Sequence, residues 1–409
     1  MNNVITLKLK DIGPVKMCKR VLKSQTHSEG DVPFFKIKTF GNKPDAYISD
    51  ELFEKYKTAY NFPTKGSILI SAAGTLGRVV KYKGERAYFQ DSNIVWIDND
   101  ESVLLNDYLY YFYLTKPWQV TSGSTIPRLY NKDIENITIT FPKDIDQQRK
   151  VVAVLKKLDS KIANNNAISK ELESMAKTIY DYWFLQFEFP DKDGKPYKSN
   201  GGKMVWNDQL KQEIPEGWEV KYLSDIESNI VTGKTPSTKD KTNFGKDVPF
   251  ICIGDIRNHS FINSTAISLS EKGANSQKKK FIPSGSLCVS CIATPGLIGF
   301  TTKDSQTNQQ INTIVFNNIK NKYFLYFALF EYFNSNKNVK TGNTFSNMNK
   351  EEFSKIKIIY NKKLVDEYFN TVNSYFEKIK LCEFENEQLQ SLRDFLLPML
   401  MNGQVIIED

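Results

Sequence analysis

Three stretches of this 409-residue chain have residue types and spacings that could do chemistry: Cys288-Val-Ser-Cys291, Gly233-Lys234-Thr235 and Lys278-Lys279-Lys280. A structural zinc site needs a second ligand pair. With five cysteines and two histidines, His27 and His259, none is at hand. The two cysteines are expected on a strand that merely tolerates them. A phosphate loop ending in Gly-Lys-Thr needs an earlier glycine and a following helix, but here the glycine is missing and Pro236 follows. No Asn/Asp-Pro-Pro-Tyr/Phe methyltransferase motif, G-x-S-x-G elbow or H-E-x-x-H occurs, and the carboxylates form no nuclease constellation. The chain is expected to bind rather than catalyse, with no cofactor or metal of its own.

The charge distribution makes the lysine run informative. Net charge is +8, divided as +4 over residues 1–142, +1 over 143–217, +7 over 218–360 and −4 over 361–409. Two basic regions alternating with near-neutral or acidic ones favour a polyanionic partner, nucleic acid first and an anionic membrane second. A composition of 40% hydrophobic and 25% charged residues excludes a disordered or fibrous chain. No apolar run approaches the ~20 residues of a membrane span, and the alternating Met1–Lys10 segment lacks a signal-peptide core. Scattered cysteines suit a reducing cytoplasm, and no membrane partner is expected.

The elements that must position these residues occur twice. Gly123-Ser-Thr-Ile-Pro-Arg-Leu129 aligns with Gly342-Asn-Thr-Phe-Ser-Asn-Met348 at an offset of 219, which also places Ile134, Ile137 and Ile139 on Phe353, Ile356 and Ile358. Val32-Pro33-Phe34 echoes Val248-Pro249-Phe250, and Tyr108–Phe112 echoes Phe324–Ala328. Pro63–Ser71 resembles Pro283–Ser290, and Gln90 and Asn93 align with Gln309 and Asn312. Collinear matches over most of the chain predict a duplicated unit. In each, short β-branched runs bounded by Gly and Asp read as strands and a Tyr/Leu-rich stretch as a helix.

Each unit then ends in a long helix. One seam runs through Leu155, Leu158, Ile162, Leu172 and Ile179, and the other through Val372, Tyr375, Ile379, Leu389 and Leu396. At an offset of 217 the two stripes coincide, and a heptad repeat this long predicts a coiled coil. Polar seam residues Asn165, Ser169, Asn386 and Arg393 would fix register or receive another subunit. Asp144 and Gln147 have capping-box spacing at the first helix start. The expected fold is α+β: two similar mixed lobes separated by two long helices in an antiparallel coiled coil, with an internal pseudo-two-fold repeat. The boundaries are lobe one at 1–142, helix one at 143–188, linker at 189–217, lobe two at 218–360 and helix two at 361–405. Antiparallel pairing would hold two basic lobes at opposite ends of a stiff spacer.

This order of elements resembles the specificity subunit of type I restriction–modification systems. The likeness is carried by Pro215-Glu-Gly-Trp-Glu-Val220, Thr232-Gly-Lys-Thr-Pro236, Ser71-Ala-Ala-Gly-Thr-Leu-Gly77 and the Gly-Ser/Asn-Thr turn before each lobe's last strand. The linker stretch beginning Glu188-Phe-Pro-Asp-Lys-Asp-Gly adds to it. Unit one departs in lacking the Gly-x-Thr-Pro turn and the opening Trp. The resemblance implies a non-catalytic subunit with two target-recognition domains, each reading one half of a split, asymmetric site in double-stranded DNA. It implies helices that bind two modification subunits, which use S-adenosylmethionine to methylate adenine, and restriction subunits that join them. The rival expectations are a protein-assembly scaffold that reads no DNA and a nuclease with its own recognition domains.

Base edges are read best by Arg, Lys, Asn and Gln, and phosphates by cations, hydroxyls and backbone amides. On that basis the lobe-one candidates are Lys38, Arg78, Arg86, Gln90, Asn93, Ser124, Thr125 and Arg128. Those of lobe two are Arg257, Lys278, Lys279, Lys280, Gln309, Asn312, Thr344 and Asn347. Gln90/Gln309 and Asn93/Asn312 recur either to read bases or to hold a turn together, and the turn is favoured. Gly74, Gly77, Gly296 and Gly299 either admit backbone to phosphate or permit tight turns.

Overall fold

The computed structural model describes residues 4–74, 76–118, 128–336, 347–402 and 407. It divides into two compact units, residues 1–161 with 388–409, and residues 162–387. In the first unit Val4–Lys8 pairs antiparallel with Thr138–Pro142, joining the start of the lobe to its last strand. A four-stranded antiparallel sheet follows in the order Val15–Met17, Ile94–Ile97, Ile68–Ser71, Val79–Lys81. A three-stranded sheet places Val32–Phe35 between Tyr47–Ile48 and Tyr88–Phe89, the latter pair parallel. Ser49 caps the helix Asp50–Ala59 by accepting from Leu52 N at 3.3 Å. The helix Asn106–Leu114 is apolar on most sides because it lies inside the unit, where Tyr108, Leu109 and Tyr111 are buried.

The second unit repeats this plan. Glu219–Tyr222 pairs with Lys357–Tyr360, and the larger sheet runs Ile230–Thr232, Ile311–Ile314, Leu287–Ser290, Ile298–Thr301, with Phe261–Ile262 added at its edge. Phe244–Ile251 lies between Ile267–Leu269 and Gln306–Thr307, again with the second pairing parallel. The correspondence extends to single atoms. Ser71 Oγ accepts from Arg78 N at 2.8 Å and Ser290 Oγ from Leu297 N at 2.9 Å, both pairs 219 residues apart. The turn between them needs left-handed backbone at Gly74 (φ 66°) and Gly77 (φ 72°), and at Ala293 (φ 64°) and Gly296 (φ 88°). The duplication is therefore a repeat of hydrogen-bonded structure as well as of sequence.

Two long helices, Ile145–Tyr180 and Lys362–Met401, contribute to both units. At the first helix start the buried side chain of Gln148 accepts from Leu105 N and donates to Val103 O and Pro142 O, each at 2.9 Å. It lies one residue beyond the Gln147 that the capping spacing singled out. Within the first unit Asp159 accepts from Arg393 Nη1 at 3.1 Å and from Tyr111 Oη at 2.8 Å. There Val151, Val152 and Leu155 share one core with Leu397, Leu400 and Met401. Within the second unit Asn165 lies against Asn386, and the carbonyl of Ala176 accepts from Tyr368 Oη at 2.9 Å. Rising numbers on one helix meet falling numbers on the other, so the pairing inside each unit is antiparallel. Leu155, Ile162, Val372 and Ile379 of the expected seam are buried, and Leu158, Leu172, Ile179, Tyr375, Leu389 and Leu396 are half-buried.

The stretch from 189 to 217, read from sequence as a period-less linker, contains structure of its own. Met204–Asn207 and Gln212–Pro215 form a hairpin. Before it, the Asp191 carboxylate accepts from the amides of Asp193 at 2.8 Å and Lys195 at 2.9 Å. Short Asx-type bonds of this kind suit a segment too rich in Gly and Pro for longer elements.

Two tests follow from the polar groups on these helices. Asn165 Nδ2 donates to Glu385 Oε2 at 2.8 Å and to Asn386 Oδ1 at 3.1 Å, while Asn386 Nδ2 donates to Asn166 Oδ1 at 2.8 Å. Removing one partner strands a buried amide, so N165L or N386L alone should cost about 1–3 kcal/mol in chemical denaturation. The double change to Leu should recover most of that loss. Glu383, whose carboxylate accepts from Ser260 N at 3.0 Å and Phe261 N at 2.9 Å, is raised to about 7 by burial, against the pull of those amides and with the help of nearby Glu173. Its folded-state value lies above the ordinary 4.5, so native protein binds the extra proton between those values. Stability should therefore fall as pH rises from about 4.5 to 7, and melting curves of E383Q should lose that slope relative to the unaltered chain.

Candidate nucleic-acid interface

In the first unit five candidates gather around one turn. Residues 36–40 form a compact turn in which the amides of Thr39 and Phe40 donate to Lys36 O at 2.9 and 2.8 Å. Gln90 Oε1 accepts from Ile37 N at 2.9 Å, and the Arg78 guanidinium donates to Phe40 O. These two side chains hold the turn from beneath while Lys38 stands exposed on it. The Ser71–Arg78 loop packs alongside, since a Cβ on Gly74 would lie 3.7 Å from Ile37. The main-chain carbonyl of Asn93 accepts from Ala72 N at 2.7 Å, and exposed Arg128 reaches Ser92 O at 3.4 Å. Arg86 is elsewhere, engaged with Asp50 at 2.6 Å and Glu54 at 3.2 Å and lying over Phe53. Among the described residues of this unit Lys38 and Arg128 are the exposed candidate cations without an ion pair, whereas Arg78, Arg86 and Gln90 are engaged within the fold.

In the second unit the loop Thr232–Pro236 lies flat on the strand ends 306–312. A Cβ on Gly233 would come within 2.1 Å of Asn308 O and 2.2 Å of Thr307 Oγ1, so only glycine fits. Lys234 N donates to Thr307 O at 2.9 Å, Thr232 Oγ1 to Asn312 Oδ1 at 2.6 Å, and Thr235 Oγ1 to Gln309 Oε1 at 2.6 Å. Asn312 is buried beneath the loop, whereas Gln309 is exposed at its edge. Lys278–Lys280 form a single 3-10 turn, with Lys278 and Lys279 exposed and Lys280 half-buried. Arg257 is exposed after the short helix Ile253–Ile256. Asn347 is exposed and bridges Ile292 beside the Ala293–Gly296 turn, as Arg128 bridges Ala73. Ser124, Thr125 and Thr344 lie outside the described residues.

One expected equivalence is corrected by strand register. Sequence offset paired Gln90 with Gln309 and Asn93 with Asn312. The structure pairs Gln90 with Asn308, whose amides bond Phe35 O at 3.0 Å and Ile251 O at 3.1 Å at matching places. Ser71 faces Ile94 and Ser290 faces Ile311, which moves the offset to 217 and makes Asn312 the positional equivalent of Val95. A change in loop length before the strand, invisible in an ungapped comparison, displaced the match. The Cys288 thiol is buried and pushed up to about 12, and burial likewise raises Cys291 to about 11. Cys288 lies on the strand Leu287–Ser290 and Cys291 just past its end, and the two sit in different apolar clusters.

Sequence reasoning missed Lys234, Thr235 and Gln277. The first two were set aside once the Gly-Lys-Thr run failed as a nucleotide loop. Gln277 is 93% buried by its 7% exposure and carries no motif at all.

Against known proteins, a family model described as the type I restriction modification DNA specificity domain matches residues 1–174 and 215–363. The chain belongs to that family. A specificity subunit of a Haemophilus influenzae type I restriction enzyme is 56% identical over 160 residues, 39% of this chain and 41% of the relative. The HindI specificity subunit of the same organism is 32% identical over 375 residues, 78% of this chain and 81% of the relative. Among solved structures, a type I S subunit from M. genitalium covers 98% of this chain and 96% of its own, with a TM-score of 0.57 at 16% identity, a likeness of fold. In this DNA-specificity chain the Thr232–Pro236 loop of the second unit is the feature to test. Introducing a Cβ in G233A should lift the loop from Asn308 and cost about 1–3 kcal/mol in denaturant unfolding.

Proposed function

We propose that each unit of this specificity subunit reads one half of a split, asymmetric target in double-stranded DNA. The observation that carries this reading is the duplicated platform. The same sheets and the same Ser-held turn occur twice, but the side chains they present differ: Lys38 and Arg128 on one, Lys234, Gln309 and the 278–280 lysines on the other. Similar scaffolds with different donors suit two different half-sites. Ser124, Thr125, Thr344, Arg257 and Asn347 belong to the same proposed contact set.

The long helices serve in this reading as docking ground for two adenine-methyltransferase subunits, which bring S-adenosylmethionine, and restriction subunits complete the complex in the cytoplasm. Exposed apolar residues support the docking role. Leu381 and Phe384 are 61% and 49% exposed, and further along the same helix Leu392 and Phe395 are 45% and 65% exposed. Water-facing apolar side chains of this size on one helix are costly unless a partner covers them.

The decisive experiment exchanges residues 1–142 for those of a homologous specificity subunit, expresses the chimera with its methyltransferase partners and maps methylated adenine genome-wide. One half-site should change completely while the other stays as before. A chimera that altered both halves, or neither, would refute independent reading by the two units.

A further inference from the structure

The second unit's cationic side chains come from two loops far apart in sequence, and one buried side chain ties those loops together. Gln277 Nε2 donates to the carbonyl of Lys234 at 2.7 Å and to Gln306 Oε1 at 2.7 Å, and Gln306 Nε2 in turn donates to Ala274 O at 2.9 Å. The carbonyl of Gln277 accepts from Lys280 N at 2.8 Å, which starts the turn bearing Lys278–Lys280. Gly233 lets the Lys234 loop sit flush on Asn308, and Lys234 N is fixed to Thr307 O at 2.9 Å. The result is a cross-link between the loop of Lys234 and the turn of the three lysines.

Lys234, Lys278 and Lys279 are exposed and Lys280 is half-buried. Among the described residues none of these four ammonium groups has a carboxylate partner, whereas neighbouring Lys272 is occupied by Asp240 at 2.9 Å. Two joined loops that carry four such lysines present net positive charge to an anion. At the base of the loop Gln277 Oε1 and Thr307 Oγ1 are buried and lack a hydrogen-bond partner among the described residues.

We propose that Lys234 and Lys278–Lys280 form one composite site for the phosphates of duplex DNA, and that Gln277 is the positioning residue that holds its two halves together. This rests on the DNA-reading function proposed above and specifies where in the second unit the backbone is gripped. The lysines act as point charges on phosphates and carry no base information. Gln277 touches no ligand and acts through the loops it joins.

The test is a salt titration of the full chain on a ~40-bp duplex of random sequence, with affinity read by fluorescence anisotropy over about 50–300 mM KCl. Each lysine that meets a phosphate contributes about 0.9 to the slope of log affinity against log salt. K234A should lower the slope by about 0.9, and a change of Lys278–Lys280 to Ala by about 0.9 for each lysine in contact. Q277A removes no charge, yet it should lower the slope by more than one such step. K221A, which removes a lysine held by Glu219 at 2.8 Å, should leave it unchanged. A merely structural role for Gln277 would lower the melting temperature and spare the slope, and that result overturns the positioning role. If Q277A does not fold, K234A decides: its side chain is exposed, and an unaltered slope overturns the composite site. A parent chain that binds no duplex overturns the DNA-reading function itself. A parent with a steep slope and variants with the same slope overturns this inference alone.

Discussion

Both units depend on removing the apolar face of a long helix from water. In the second unit Val372, Phe376 and Ile379 are buried, and Phe376 stacks on Tyr323 with ring centroids 4.0 Å apart. Full burial of such side chains is worth about 1.5–3 kcal/mol each. In the first, Val151, Val152 and Leu155 lie in one core with Leu397, Leu400 and Met401. Neither helix makes sense alone, because half of its circumference would be exposed. Each contributes to a unit's core, and the lobe loops are built on that base.

Above the apolar base, a polar layer fixes geometry. Glu227 is fully buried and accepts from the amides of Asn317 at 2.7 Å and Asn318 at 3.2 Å and from Asn321 Nδ2 at 2.7 Å. Gln148 does the equivalent work in the first unit with bonds to three main-chain groups. Buried side chains with every bond satisfied define one arrangement, because any slip leaves a donor or acceptor stranded. The two units solve this with different residues at different places in the chain. A specificity subunit can therefore keep the platform while its presented side chains change.

The proposed docking and reading roles divide along the same line. The side chains proposed to meet DNA stand on turns whose backbone is held by Ser71, Gln90, Ser290 and Gln277, so replacing an exposed cation leaves the turn in place. The exposed Leu381, Phe384, Leu392 and Phe395 lie on regular helix, where the backbone is already satisfied and the side chains are free to serve a partner.

Much of this was written in periodicities. The duplicated order of strands, the paired long helices and their seam follow from repeats of two, three-and-four and about 219 residues, because burial of one face forces a period on the sequence. Hydrogen-bond partnership was not legible. Arg78 and Arg86 look like free cations until the Phe40 carbonyl and the Asp50 and Glu54 carboxylates are found beside them. Asn312 resembles Asn93 until strand register makes it the equivalent of Val95. Lys234 and Lys278 become neighbours only through Gln277. Periodic burial is a property of consecutive residues, whereas a hydrogen bond between positions 43 residues apart exists only once the chain has closed on itself.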